Sequence, residues 1–191
     1  MKPLTRILAT ATLALAASQT QAAAEPGHYR IDPAHTSILF TVGHLNTSRL
    51  VGRFNRFEGE FVLQAGQGKI DIRIDTASVD TNHQKRDKHL RSPDFFNARQ
   101  FPQMRFVSQQ IRFNQNGEPV AAEGRLSLHG KQRPVSLKIT PVGAGKDPWG
   151  GYRAGYTATT TIKRSDFGMD YMLGGIGDEI AITLEVEGIK Q

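Results

Sequence analysis

Apolar and polar residues alternate in short runs along most of the chain. Over residues 36–44, Ile38, Phe40 and Val42 share one face while Ser37 and Thr41 fall on the other. Residues 69–75 repeat the pattern more cleanly, with Ile70, Ile72 and Ile74 set against Lys69, Asp71, Arg73 and Asp75. Residues 50–57 place Leu50, Gly52, Phe54 and Arg56 opposite Val51, Arg53, Asn55 and Phe57, and residues 180–187 align Ile180, Ile182, Leu184 and Val186. Related runs occupy residues 28–31, 61–63, 104–107, 111–113, 125–128, 135–142 and 152–162. A period of two is the mark of a strand with one buried face, because successive side chains leave a pleated strand on opposite sides. Ala65-Gly66, Asn116-Gly117 and His129-Gly130 supply turn chemistry between the runs. No strand-helix-strand rhythm, internal repeat or linker interrupts them, so the pattern predicts one all-β domain with antiparallel pairing.

One segment departs from this rhythm. Residues 80–91 contain no β-branched residue after Thr81 and suit a helix, with Asp80 or Thr81 as its cap. Pro93 ends it, and Ser92-Pro93-Asp94 has the form of a cap and first turn for another short helical piece. The expectation is a short helical insertion around residues 81–96.

Alternation alone does not say which face is wet. A membrane-spanning barrel turns its apolar side chains outward and carries aromatic girdles at both interfaces. Here aromatics are only 8% of the chain, form no paired girdles, and charged residues sit mid-strand opposite the isoleucines. The pattern favours a barrel with its apolar face inside. Residues 1–24 read as a secretory signal: Lys2 and Arg6 form a positive start, residues 7–17 a short apolar run, and small residues follow. Cleavage after Ala22 or Ala24 fits, leaving residues 25–191 as the domain and the periplasm as the expected location. The chain has no cysteine, which excludes both disulfides and a cysteine-linked lipid anchor. Its formal charge is +6, reduced by two when Lys2 and Arg6 leave. That mild excess suits anionic lipid heads or pyrophosphates, or simply solubility, whereas export and the lack of a basic run interleaved with aromatics argue against nucleic acid.

Candidate chemistry is sparse. His83 and His89 are six apart and would not share a helix face, and His35 and His44 would point to opposite faces of one strand. Neither pair suggests a metal. Asp32, His35 and Ser37 contain the residue types of a nucleophilic site, but they are close neighbours before a strand, where turn capping is their ordinary role. Lys85, Arg86, Lys88 and Arg91 make the helical segment basic. They suit either a rim that meets an anionic head such as a diphosphate, or a solvated face in which Asp87 and Arg91 pair. Arg164, Asp166, Asp178 and Glu179 flank glycines and predict a salt-bridge cluster that closes the barrel. Trp149 falls in a hairpin-like loop and is expected at the surface.

Four stretches together resemble the YceI-like family of periplasmic, lipocalin-like proteins that bind polyisoprenoids. The first runs from Tyr29-Arg30-Ile31-Asp32-Pro33-Ala34-His35-Thr36 to His44, with Gly52-Arg53-Phe54 and Phe57-Glu58-Gly59 after it. The second is Arg86-Asp87-Lys88-His89-Leu90-Arg91-Ser92-Pro93-Asp94-Phe95-Phe96 with Phe101-Pro102-Gln103-Met104-Arg105-Phe106. The third is Gly124-Arg125-Leu126-Ser127-Leu128-His129-Gly130, and the fourth is Arg164-Ser165-Asp166-Phe167-Gly168-Met169 with Gly174-Gly175-Ile176-Gly177-Asp178-Glu179. The resemblance implies an extended antiparallel, lipocalin-like barrel of about eight strands, with an apolar tunnel for an isoprenoid or other long-chain lipid. Under that reading Ile38, Phe40, Val42, Ile72 and Phe106 line the tunnel, and Arg86 and Arg91 form the polar rim. The protein is then a carrier or store without cofactor, metal or catalytic residue, compatible with transient membrane contact and with a homodimer. A periplasmic lipid hydrolase or isomerase using Asp32, His35 or His89, and a stress-induced protein with a filled core, remain the competing classes.

Overall fold

The computed structural model describes residues 23–64 and 68–191. All but the last two residues of the expected export segment, and the Ala65-Gly66 turn, lie outside them. Eleven strands carry the described chain: β1 (Gly27–Ile31), β2 (Ser37–His44), β3 (Ser48–Phe54), β4 (Phe57–Leu63), β5 (Lys69–Asp75), β6 (Val79–Asp80), β7 (Gln103–Phe113), β8 (Pro119–Leu128), β9 (Lys131–Lys146), β10 (Tyr152–Lys163) and β11 (Ile176–Lys190). Among the described residues there is one α-helix, α1 (Gln84–Leu90), after β6, and two short 3-10 helices at Thr76–Ser78 and Arg164–Phe167. Every pairing is antiparallel.

The order β1-β4-β5-β7-β8-β9-β10-β11 closes on itself through a β1–β11 pair, giving an eight-strand barrel. The upper wall is built by bending. β11 pairs with β2 over its first part and with β1 at its end, so β1 and β2 together fill one strand position. β3 pairs with β2 and β4 with β1, so they divide the next position in the same way. Residues 32–36 make the bend between β1 and β2, anchored where Asp32 N–H donates to Glu187 O (2.8 Å) and Glu187 N–H donates to Thr36 Oγ1 (3.0 Å). β6 pairs only with β3. α1 and residues 91–102 follow β6 and lie at this end, with Leu90 and Phe96 packed against the core. We refer to this end as the mouth, and to the end where β1 begins and β11 finishes as the floor.

The interior is apolar and the exterior charged, the reverse of a lipid-facing barrel. Ile38, Phe40 and Val42 are buried while Ser37 faces outward. On β3, Gly52 and Phe54 are buried and Arg53 is exposed. Gly52 is required by close approach: a Cβ there would lie 2.2 Å from Phe40 Cζ, so the phenyl ring lies flat against bare backbone. Gly188 plays the same part beneath Phe61, at 2.4 Å.

Four details differ from the sequence expectation. Residues 50–57 do not form one strand, because the chain changes partners at Asn55-Arg56 and β4 runs straight through Gly59. Residues 104–107 and 111–113 belong to one strand, β7, with a register shift between Ser108 and Gln110. The extra residue moves the inward phase from Met104 and Phe106 to Ile111, which is why the pattern appeared broken. The helix is capped by His83, whose Nδ1 accepts from Arg86 N–H (3.2 Å), because Asp80 is held in β6 and Thr81 bonds to Asp87. Residues 92–94 form hydrogen-bonded turns and no second helix.

Candidate functional site

Two cavities lie end to end along the barrel axis. The upper chamber, at the mouth, has a volume of about 130 Å³, and the lower one about 50 Å³. Ile72, Leu137 and Leu184 line both and form a waist between them. No polar atom is exposed to either chamber. The structure places all of Ile38, Phe40, Val42, Ile72 and Phe106 on the wall of the upper chamber, with Ile72 at the waist. Leu137 and Leu184 lie in phase on strands that the sequence pattern predicts, but that pattern does not assign them to the tunnel.

The floor is aromatic. Tyr29 stacks on Phe61 at 5.0 Å, and Phe61 meets the edge of Tyr156 at 5.7 Å. Tyr29 donates its hydroxyl to Glu25 O (2.6 Å), and burial pushes its phenol up to about 12, with Tyr152 and Glu25 adding to the rise. Burial likewise raises Tyr156. Both rings therefore stay neutral. At the mouth, Phe40, Phe54 and Phe96 form a second aromatic chain, with centroids 5.6 and 5.5 Å apart. Phe95 and Leu90 close the chamber beside them. A Phe-Phe pair directly after Ser-Pro-Asp in a polar segment was the available sign of this cover.

The rim is basic, but its arginines are tied down. Arg86 donates Nε–H to Thr81 Oγ1 (2.8 Å) and Nη2–H to Thr81 O (2.7 Å). Arg91 donates to Ala77 O (3.0 Å) and Val79 O (3.3 Å). Asp87 does not pair with Arg91, because it accepts from the N–H and hydroxyl of Thr81. The two arginines thus fasten α1 and the segment after it to the chain around β6. His83, Lys85, Arg86, Lys88, His89 and Ser92 line an outer groove along the helix. His89 is held by Asp94 (2.7 Å) and touches Phe95 and Tyr171 edge-on.

The segment around Arg164 is not the salt-bridge cluster that its charges suggested. Arg164 is buried and donates to three main-chain carbonyls, Gly177 O (2.9 Å), Met169 O (2.7 Å) and Ile176 O (2.9 Å). Burial lowers its pKa, opposed by Asp178 and Asp170. Asp178 accepts from Ser165 N–H (2.9 Å) and hydroxyl (2.8 Å); against its desolvation, these bonds and the charges of Arg164 and Lys163 together lower its pKa. The glycine-rich loop is thus shaped by one cation reading carbonyls.

Asp32 and His35 sit outside the chambers. Asp32 caps its own turn through Ala34 N–H (3.0 Å) and accepts from His35 Nδ1 (2.8 Å). With Glu187 these residues come close enough together to hold a metal ion. A guanidinium already takes the cation's place: Arg153 bonds to Asp32 (2.7 Å), to Asp147 (3.0 Å) and to Glu187. The bonds from His35 and Arg153 hold the Asp32 carboxyl down at about 2. Among the described residues no serine or threonine hydroxyl bonds to a histidine ring nitrogen, so this cluster presents no activated nucleophile. Trp149 lies at the floor end, 79% exposed, with Arg153 over its ring at 5.6 Å.

A model of the YceI-like domain matches residues 29–188. A UPF0312 protein of Shewanella denitrificans is 48% identical over 161 residues, covering 83% of this chain and 84% of that protein. One from Shewanella baltica is 44% identical, covering 88% and 91%. Among solved structures, the Campylobacter jejuni YCEI protein superposes with a TM-score of 0.68 at 29% identity, over 78% of this chain and 90% of that one. Burkholderia cenocepacia BcnA gives 0.72 at 23% identity, over 82% and 98%. A polyisoprenoid binding domain from Saccharophagus degradans gives 0.66 at 13% identity, over 87% and 100%, and likewise shows the shared fold.

Proposed function

Because the chain belongs to the YceI-like family, we propose that it is a periplasmic carrier or store for an isoprenoid or similar long-chain lipid. The observation that carries this reading is the pair of chambers along the barrel axis with no polar atom facing either of them. Such a lining has nothing to recognise except hydrocarbon. Each methylene moved from water into it contributes about 0.8 kcal/mol, so a long tail binds without directional contacts. The tail enters from the mouth past Phe95 and Phe96, crosses the waist and stops at Phe61, so chain length is measured against the floor. The head stays outside, beside α1. Since Arg86 and Arg91 already serve main-chain or threonine oxygens, Lys85 and Lys88 are the cations that meet an anionic head. The signal at residues 1–24 delivers the protein to the periplasm, and amino-terminal sequencing of periplasmic material should begin at Ala23 or Glu25. Native mass spectrometry of the purified protein tests the binding claim: a lipid adduct is expected, and Val42→Asp should abolish it, because an unpaired charge in the chamber is costly. A wild-type protein that carries no lipid and takes up no prenyl chain, or a folded Val42→Asp variant with normal lipid content, would remove the reading.

A further inference from the structure

The mouth carries exposed apolar side chains that do not line the chambers. Leu45 is 54% exposed, Met172 52%, Leu173 43% and Tyr171 37%. They form one patch. Leu45 N–H donates to Gly175 O (2.7 Å), and a Cβ at Gly175 would meet both Met172 Cε (3.1 Å) and Leu45 Cδ2 (3.3 Å). Tyr171 contacts His89 of α1 and Phe95, which lines the upper chamber. Ile176, the first residue of β11, lines the same chamber. The patch therefore borders the mouth itself.

Two of these side chains stand on backbone that disfavours them. Leu45 has φ 51° and Met172 φ 51°, in the left-handed region where asparagine and glycine are ordinary and large apolar residues are not. Turn stability alone would select Asn at both. Exposed cations lie beside the patch. Lys85 and Lys88 share the outer groove with His89, and exposed Arg49 lies on the hairpin that carries Leu45. The acids on this side are Asp94, already paired to His89, Asp178, held by Ser165, Glu179, opposite Lys163 across the β10–β11 pair, and exposed Asp166 and Asp170.

We infer that Leu45, Tyr171, Met172 and Leu173 dock the mouth onto an anionic lipid bilayer, inserting among acyl chains while Lys85, Lys88 and Arg49 meet the lipid phosphates. The inference rests on the carrier reading, since a lipid-borne tail has to pass between bilayer and barrel without crossing water. Charge decides the occupant. A second copy placed face to face would set the same lysines and arginine against each other, whereas an anionic bilayer complements them. Apolar tips ringed by basic residues are also the composition of interfacial anchors.

The turn geometry supplies the variant. In Leu45→Asn/Met172→Asn the backbone gains residues that suit it, so thermal stability should hold or rise while vesicle binding falls about tenfold or more. The assay is co-sedimentation of the purified protein with vesicles of phosphatidylglycerol and phosphatidylcholine, against phosphatidylcholine alone. Wild type should bind the anionic vesicles, and added salt or Lys85→Gln/Lys88→Gln should weaken that binding. In a Trp149→Phe background, Tyr171→Trp should report insertion by a blue shift. Equal binding by the asparagine variant, indifference to vesicle charge, or no binding by wild type would overturn the inference. So would a self-association, seen by sedimentation velocity, that the asparagine variant abolishes in the absence of vesicle binding. Native mass spectrometry separates this from the carrier reading: docking can fail while the lipid adduct persists, and loss of the adduct from wild type counts against the carrier alone.

Discussion

Replacing Gly52 with alanine puts a methyl group where the Phe40 ring now lies. The new Cβ would stand 2.2, 2.6 and 2.9 Å from three ring carbons, while ordinary contact begins at 3.4 Å. The ring tip must retreat by roughly 1.2 Å, the difference between 3.4 and 2.2 Å. The wall is behind it and Phe54 stands 5.6 Å to one side, so the ring moves into the upper chamber. Overpacking of this size costs about 1–3 kcal/mol, or about 4–8 °C in Tm for 2 kcal/mol in a domain of this length. Lipid content should fall as well, because the displaced ring occupies the lumen. Phe40→Leu removes the clashing atoms. In that background Gly52→Ala should be neutral or stabilising by about 0.5–1 kcal/mol, the usual gain of alanine over glycine in a strand. The substitution therefore turns from costly to neutral or favourable between the two backgrounds, a coupling of about 1–4 kcal/mol. Urea unfolding of the four proteins measures it. Gly43→Ala, on the same hairpin with nothing within 4 Å of its Cβ, is the control and should be neutral or stabilising by up to about 1 kcal/mol in both backgrounds. Equal cost for Gly52→Ala in both backgrounds would refute the reasoning.

Two further outcomes follow from the floor. Arg153→Met should destabilise the protein, because Asp32, Asp147 and Glu187 lose a shared cation. Asp32 is depressed to about 2, so its stabilisation is present above the ordinary carboxylate range and disappears as pH falls through about 2. In the variant its pKa should rise by NMR titration and acid unfolding should begin at higher pH; an unmoved Asp32 titration would refute this. Phe61→Leu should cost about 1–2 kcal/mol and let longer tails be retained in native mass spectrometry, and an unchanged length distribution would show that the floor does not measure the chain.

The lumen was legible because its code is simple. Ile38, Phe40, Val42 and Ile72 are in phase on strands whose opposite faces carry hydroxyls and charges, and such a strand has one way to pack. Phase was lost only where backbone geometry intervened, at the β7 register shift and at the change of partner after Phe54. The polar features were less legible, because sequence supplies charge without direction. Arg164 reads as one member of an ion cluster until its N–H groups are seen on three carbonyls. Arg86 and Arg91 read as a ligand rim or as a solvated face, and nothing in the sequence shows that Thr81, Ala77 and Val79 accept their N–H groups. Carbonyls are present at every position and leave no signature in composition. The left-handed turns at Leu45 and Met172 were hidden for the same reason.

The pair that seals the barrel joins Tyr29, Arg30 and Ile31 to Gly188, Ile189 and Lys190, nearly the full length of the chain apart. β11 is also the strand on which β10 and β2 depend. The ring therefore cannot close on a growing chain, and the long loop it spans must be ordered in a single late step. A ring that waits for β11 cannot be completed while that strand is still unmade, so barrel closure follows synthesis instead of accompanying it.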